Sequence, residues 1–207
     1  MSNIKKFIAK KNKSKIVSLT AYSKNIASIL DNYCDLILVG DSLGSVLYNF
    51  TTTRKVTLNM MIEHAKSVRL GVSKSLLVVD MPYNTYRTKS EALKNCKKVM
   101  KETKCDGVKL EGGLRIKEIV KHLIKNKIPV LGHLGITPQT VRGKFKSKGK
   151  SARERNRLLS DAELLEKSGA FAIVLECVKG DLSKEITRKI TIPTIGMDHL
   201  IIVMVKF

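Results

Sequence analysis

The chain has 207 residues, 43% of them hydrophobic, with 39 Lys and Arg against 18 Asp and Glu for a formal net charge of +21. That apolar share suffices for one sizeable core, so a single domain over 1–207 is expected. No apolar run reaches bilayer length, no signal-like segment opens the chain, and Cys34, Cys96, Cys105 and Cys177 form no CxxC pair; membrane spans, disulfide frameworks and zinc-type sites are set aside, and a reducing, cytoplasmic setting is the default.

Residues 1–15 are basic and predict an amphipathic lead-in helix, with Ile4, Phe7 and Ile8 on one face. Ile16 to Thr20 reads as the first strand and Ser23 to Asp31 as a short helix. Leu36 to Val39 is a continuous apolar run, the pattern of a strand buried on both faces, and it stops in Gly40, Asp41 and Ser42. Residues 45–55 read as a loop. Thr57 then caps a helix with Leu58, Met61, Ile62, Ala65 and Val68 at helical spacing, closed by Gly71. Ser75 to Asp80 is the third strand, stopped by Pro82. Lys89 to Lys104 is a helix with Ala92, Leu93, Cys96 and Val99 inward.

Gly107 to Glu111 is the fourth strand. Lys109 and Glu111 share one of its faces, so a charged pair pointing into a barrel must be paired, ligand-bound or wet. A helix over 115–126 and a fifth strand over 129–135, containing His133, follow. Residues 142–157 hold eight basic residues and one acid, Glu154, which reads either as a solvated loop or as an attractor for an anionic cosubstrate. A helix from Arg153 to Gly169, a sixth strand over 170–177 with Glu176 near its end, a short helix over 181–189 and a seventh strand from Ile192 complete the pattern.

About seven strand–helix alternations argue for a parallel sheet closed as a (β/α) barrel, whose full form has eight units and typically ~250 residues. Right-handed crossovers put every strand's carboxyl end at one mouth. Asp41, Ser42, Asp80, Glu111, His133 and Glu176 lie at or near such ends, the pattern of a barrel active site. Carboxylates gathered there repel one another without a cation, and oxygen-only donors suit magnesium, some ligands direct and some through water. Such an ion, chelating the carboxylate and ketone of an α-keto acid, acidifies the neighbouring carbon, and a carboxylate such as Glu176 can take that proton provided burial raises its pKa. Residue types alone lead to metal-assisted enolate chemistry and no further. The basic charge leaves a nucleic-acid-binding alternative, against which stand the dispersed lysines, 5% aromatics, no Trp and no aromatic stacking motif.

Seven stretches in order carry a resemblance: Leu19 to Tyr22, Leu38 to Gly44, Val56-Thr57 with Met61 and His64, Asp80 to Pro82, Val108 to Gly113, Gly132 to Gln139, and Val174 to Cys177. Together, over roughly residues 5–196, they resemble the ketopantoate hydroxymethyltransferase family. The resemblance implies a (β/α)8 TIM-type barrel of the phosphoenolpyruvate/pyruvate-binding kind. It implies transfer of a hydroxymethyl group from 5,10-methylenetetrahydrofolate to α-ketoisovalerate, giving ketopantoate in pantothenate synthesis, by a cytoplasmic homo-oligomer. By the same resemblance Asp41, Asp80 and Glu111 bind Mg2+; Asp41, Ser42, Asp80, Lys109 and His133 contact the keto acid; and Glu176 accepts the proton. Ser42 also reads as a helix or turn cap, and His133 as a hydrogen-bonded strand-end histidine. A related keto-acid barrel that cleaves or rearranges carbon–carbon bonds is the enzymatic alternative.

Three departures from the family pattern stand out. Ser23 follows Tyr22 where an acid is usual, the basic loop after Val141 is shorter and lacks the usual paired glycines before Phe145-Lys146, and residues 197–207 replace the usual glycine-rich turn, last strand and helices. Leu200 to Val205 suits one more strand but not a complete barrel end, so a truncated chain of low stability and weak or absent activity is expected, with an inactive remnant as the alternative.

Overall fold

The computed structural model describes residues 3–140 and 146–197. Seven strands form one parallel sheet in sequence order: β1 (Ser18–Thr20), β2 (Leu36–Val39), β3 (Leu76–Asp80), β4 (Gly107–Glu111), β5 (Val130–Gly135), β6 (Ala172–Glu176) and β7 (Thr194–Met197). Helix α1 (Asn3–Ile8) precedes them. Between successive strands lie α2 (Lys24–Leu30), the pair α3 (Leu43–Tyr48) and α4 (Leu58–Arg69), α5 (Lys89–Thr103), α6 (Lys117–Lys125) and α7 (Ala152–Lys167), with α8 (Gly180–Lys189) before β7. This is the expected barrel through its seventh strand. Among the described residues β1 and β7 each pair on one side only, and the expected strand from Leu200 to Val205 lies outside them.

Strand alternation sorts the core into two shells. Ile37 and Val39, Leu77 and Val79, and Val108 and Leu110 face the helices and pack with Met61, Ala65, Cys96, Val120 and Leu165. Leu36, Leu38, Leu76, Val78, Leu131, Ala172 and Val174 fill the barrel interior, as a period-two pattern buried on both faces requires. The lead-in helix closes the floor: Phe7 is 3% exposed and meets Phe171 edge to face, centroids 6.0 Å apart.

Helix starts follow the side-chain chemistry. The hydroxyls of Thr57, Thr88 and Ser151 accept from the backbone N–H three residues on, at Met60, Glu91 and Glu154. Two expectations are corrected. Residues 45–55 are not all loop, because α3 runs from Leu43 to Tyr48 and a 3-10 turn covers Thr53–Lys55. The periodic signal is lost there because Val46, Leu47 and Tyr48 point outward while Leu43 and Gly44 are buried. Nor is the basic stretch before residue 157 a uniformly solvated loop. Lys148 forms a bridge with Val178, α7 begins at Ala152, and Arg155 pairs with Asp181 and Glu185 at 2.6 and 2.8 Å. Residues 141–145 lie outside the description.

Candidate active site

Strand register decides which charges become neighbours. β3 and β4 pair Asp80 with Lys109, and the Lys109 ammonium lies 2.6 Å from Oδ1 of Asp80. β4 and β5 pair Glu111 with His133, which places Nδ1 3.4 Å from Oε1 of Glu111. The other ring nitrogen, Nε2, is 3.0 Å from Oε2 of Glu176 on β6. Asp41 lies one residue past β2, after Gly40, and donates its backbone N–H to Oδ2 of Asp80 at 3.1 Å. Asp41, Asp80, Lys109, Glu111 and His133 are all buried, whereas the Glu176 side chain is 18% exposed and reaches toward the mouth. The Lys109–Glu111 face therefore points inward, and Val108 and Leu110 take the outer face.

Ser42 stands at the N-cap position just before α3 but makes no capping bond through its side chain. Its hydroxyl instead lies 2.8 Å from the Tyr22 hydroxyl, so the cap reading fails and the oxygen stays beside Asp41. Gly135 ends β5 with φ +101, and a Cβ there would come within 2.0 Å of the Glu176 carbonyl oxygen. Only glycine lets β5 pass so close to Glu176.

The charges perturb one another. Burial pushes the Asp41 carboxyl up, and the Asp80 charge adds to that, to about 7. Burial acts to lower Lys109, but Asp80, Asp41 and Glu111 outweigh it and raise the ammonium above its ordinary value. Burial and Lys109 also act to lower His133; its contacts with Glu111 and Glu176 win and hold it at about 9, so the ring is an imidazolium at neutral pH. A cation between two carboxylates is a more specific arrangement than a strand-end histidine with one backbone partner.

Sequence reasoning gave no role to Gln139, Tyr86 or Arg54. Gln139 is 2% exposed. Its Nε2 donates to Oδ2 of Asp41 and to the Met81 carbonyl, both at 2.9 Å, and its backbone N–H donates to Oε2 of Glu111 at 3.2 Å. Tyr86 donates to its Oε1 at 2.6 Å. Arg54 donates Nε to the Gln139 carbonyl at 2.9 Å and lies 4.9 Å over the Tyr83 ring. Two signals were available: Gln139 follows a proline just past the carboxyl end of β5, and it closes the stretch from Gly132 that carries the family resemblance.

A cavity of about 1130 Å³ opens beside Glu111 and Gln139. Tyr83, Leu114 and Leu158 give it apolar walls, and Arg87, Arg115 and Arg157 give it cationic ones. Drug-sized ligands fill pockets of about 300–1,000 Å³, so this space exceeds what a five-carbon keto acid needs.

The donor set fits a hard divalent cation in chemistry. It offers carboxylate oxygens only, and the Asp41 carboxyl is raised in the way a nearby cation would relieve. The three carboxylates are not a closed cage: among the described residues no three acidic, histidine or cysteine side chains converge as a ready-made metal site. Gln139 and Lys109 stand among them, which leaves room for ligands carried by water or substrate.

Residues 1–198 match the family model described as ketopantoate hydroxymethyltransferase. The chain is 65% identical over 191 residues to a 3-methyl-2-oxobutanoate hydroxymethyltransferase of Pelagibacter ubique, covering 92% of this chain and 74% of that protein. Among solved structures it is similar to phosphonopyruvate hydrolase in complex with oxalate and Mg2+, with TM-score 0.66 and 9% identity over 95% of this chain and 81% of the other. It is also similar to 2,3-dimethylmalate lyase, a member of the PEP mutase/isocitrate lyase superfamily, with TM-score 0.63 and 8% identity over 91% and 68%. These two likenesses establish the barrel fold. No described helix is long and apolar enough to cross a membrane.

Proposed function

The chain belongs to the ketopantoate hydroxymethyltransferase family, and from that premise we propose that its barrel mouth makes ketopantoate from α-ketoisovalerate with 5,10-methylenetetrahydrofolate as donor and Mg2+ as cofactor. The observation that carries the reading is the continuous set of buried charges across β2 to β6, with one carboxylate, Glu176, left partly open beside an imidazolium. Asp41, Asp80 and Glu111 would hold the ion, which supplies the Lewis acidity that makes the keto acid's C3 proton labile. Lys109 gives the keto acid's carboxylate a positive partner, and the Ser42 hydroxyl gives it a donor.

Glu176 takes the C3 proton. The His133 imidazolium, 3.0 Å away, aims that carboxylate at the mouth, where its ionised form can accept a proton. Water adds to the donor's methylene carbon, both of its C–N bonds break, and tetrahydrofolate leaves with a proton on each of the two nitrogens. The carbon freed at C3 attacks the one-carbon aldehyde so released, and the alkoxide that forms takes back the proton held by Glu176. The arginine-walled cavity is the space we assign to the folate, whose carboxylates suit Arg87, Arg115 and Arg157. The whole reading treats residues 1–207 as one barrel unit in a reducing, cytoplasmic setting, self-associated as the family resemblance implies.

The test is ketopantoate formation by the purified chain with each of α-ketoisovalerate, methylenetetrahydrofolate and Mg2+ omitted in turn. Product is expected only when all three are present. Turnover of the keto acid without folate would instead favour a carbon–carbon cleaving barrel.

A further inference from the structure

Contacts of 2.6 to 3.4 Å arrange the charged groups at the mouth in two sets. One is Asp41, Asp80 and Lys109, from β2 to β4; the other is Glu111, His133 and Glu176, from β4 to β6. Gln139 is bonded to a carboxylate in each set, Asp41 through its side chain and Glu111 through its backbone. We propose that Gln139 is the positioning residue that locks these two carboxylates into one mutual geometry before an ion binds, with Tyr86 fixing the orientation of its carboxamide. This rests on the reading of the mouth as a magnesium site.

The carboxamide has one allowed orientation. Both N–H groups are spent on acceptors, Oδ2 of Asp41 and the Met81 carbonyl, and Oε1 accepts from the Tyr86 hydroxyl. A flipped amide would set Oε1 against two other acceptors and leave the Tyr86 proton facing an N–H. Tyr86 also accepts, at 3.4 Å, from the backbone N–H of Glu111. Glu111, Tyr86 and Gln139 therefore close a ring of hydrogen bonds, since the Gln139 backbone donates back to the Glu111 carboxylate. Arg54 anchors the ring from outside, with Nε on the Gln139 carbonyl and Nη2 on that of Thr140 at 3.3 Å. A buried network with every member satisfied holds its geometry, and one missing member leaves its partners unpaired in a medium where that is costly. Groups that orient metal-binding carboxylates are worth about 10- to 100-fold in metal affinity.

Manganese, a paramagnetic substitute for magnesium, reads this out without turnover. Electron paramagnetic resonance gives the Mn2+ dissociation constant of the unsubstituted chain, Gln139→Leu, Tyr86→Phe and the double variant, each checked by thermal unfolding. Gln139→Leu, of similar volume, is expected to weaken Mn2+ about 10- to 100-fold while still melting cooperatively. Tyr86→Phe is expected to weaken it less, and the double variant no more than Gln139→Leu alone, because the two residues act through one ring. If Gln139→Leu does not fold, Tyr86→Phe decides: weaker Mn2+ supports the proposal, unchanged Mn2+ overturns it. A folded Gln139→Leu that binds Mn2+ as tightly as the unsubstituted chain overturns this inference alone. An unsubstituted chain that binds no Mn2+ overturns it together with the magnesium reading.

Discussion

The two ends of the same strands are built on opposite principles. At the floor, Phe7, Leu36, Leu76 and Phe171 pack as an apolar cluster, with the Lys10–Asp35 pair at its edge. At the mouth, two residue positions or more further along each strand, Asp80, Lys109, Glu111 and His133 are just as deeply buried and are all ionisable. The floor is held by removal of apolar surface from water, which is indifferent to partner identity within volume limits. The mouth is held by a set of charges that balance only together, and breaking one member strands the rest. One end can therefore be tuned for stability and the other for chemistry, and substitutions at the two ends should separate the two properties.

The largest effect is expected at Asp80. Asp80→Ala leaves the buried Lys109 ammonium without its 2.6 Å partner, which costs about 3–5 kcal/mol of stability. It should also abolish magnesium-dependent ketopantoate formation. Denaturant unfolding and a product assay check both; unchanged turnover would sink the assignment of Asp80 to the site.

Phe7→Ala should cost stability alone, about 3–5 kcal/mol from the lost burial and the cavity beside Phe171. Measured per folded molecule at low temperature, its turnover and metal affinity should equal those of the unsubstituted chain. A specific loss of activity would show that the floor and the mouth are coupled.

A smaller, graded effect is expected from pH in metal-free buffer. Asp41 holds its proton to about 7 in the folded chain against an ordinary 3.8. Between those values the unfolded chain ionises first, so the mouth's contribution to stability falls as pH rises. His133 is raised to about 9 from 6.5, so its contribution is complete below 6.5 and is lost as pH rises through 9. Both slopes point the same way across pH 4 to 9. Asp31, held at about 2 by backbone N–H groups of Ser73, Lys74 and Ser75 against the opposing effect of burial, is stabilising above its ordinary 3.8 and acts oppositely, but only at lower pH. Chemical denaturation at a series of pH values checks the slope. Asp41→Asn should flatten its acid half, and a stability that rises from pH 5 to 7 would contradict the account.

The contrast also explains what could be read from sequence. Runs such as Leu36–Val39 and Leu76–Asp80 announced buried strands and their polar endings, because strand period and an abrupt change of polarity are local signals. Thr57 announced its helix for the same reason. Helix α3 was missed because its apolar side chains face outward, which erases the periodic pattern. The charged pair Lys109 and Glu111 could be placed on one face, but its partners Asp80 and His133 are set by register between strands, which no single stretch encodes. Gln139 bonds to residues 28 and 98 positions away, so its partners in the mouth were not visible in its own neighbourhood.

The central claim is that the mouth removes the C3 proton of α-ketoisovalerate through Glu176 with Mg2+ in place. Proton NMR of the keto acid in D2O tests that step directly, without folate and without complete turnover, as loss of the C3–H signal and collapse of the methyl doublet. The expected result is exchange that needs the chain and Mg2+, stops on chelation, and falls about 10²- to 10⁴-fold in Glu176→Gln, the usual contribution of a positioned base. Exchange that proceeds equally in Glu176→Gln, or that is indifferent to removal of Mg2+, would contradict it.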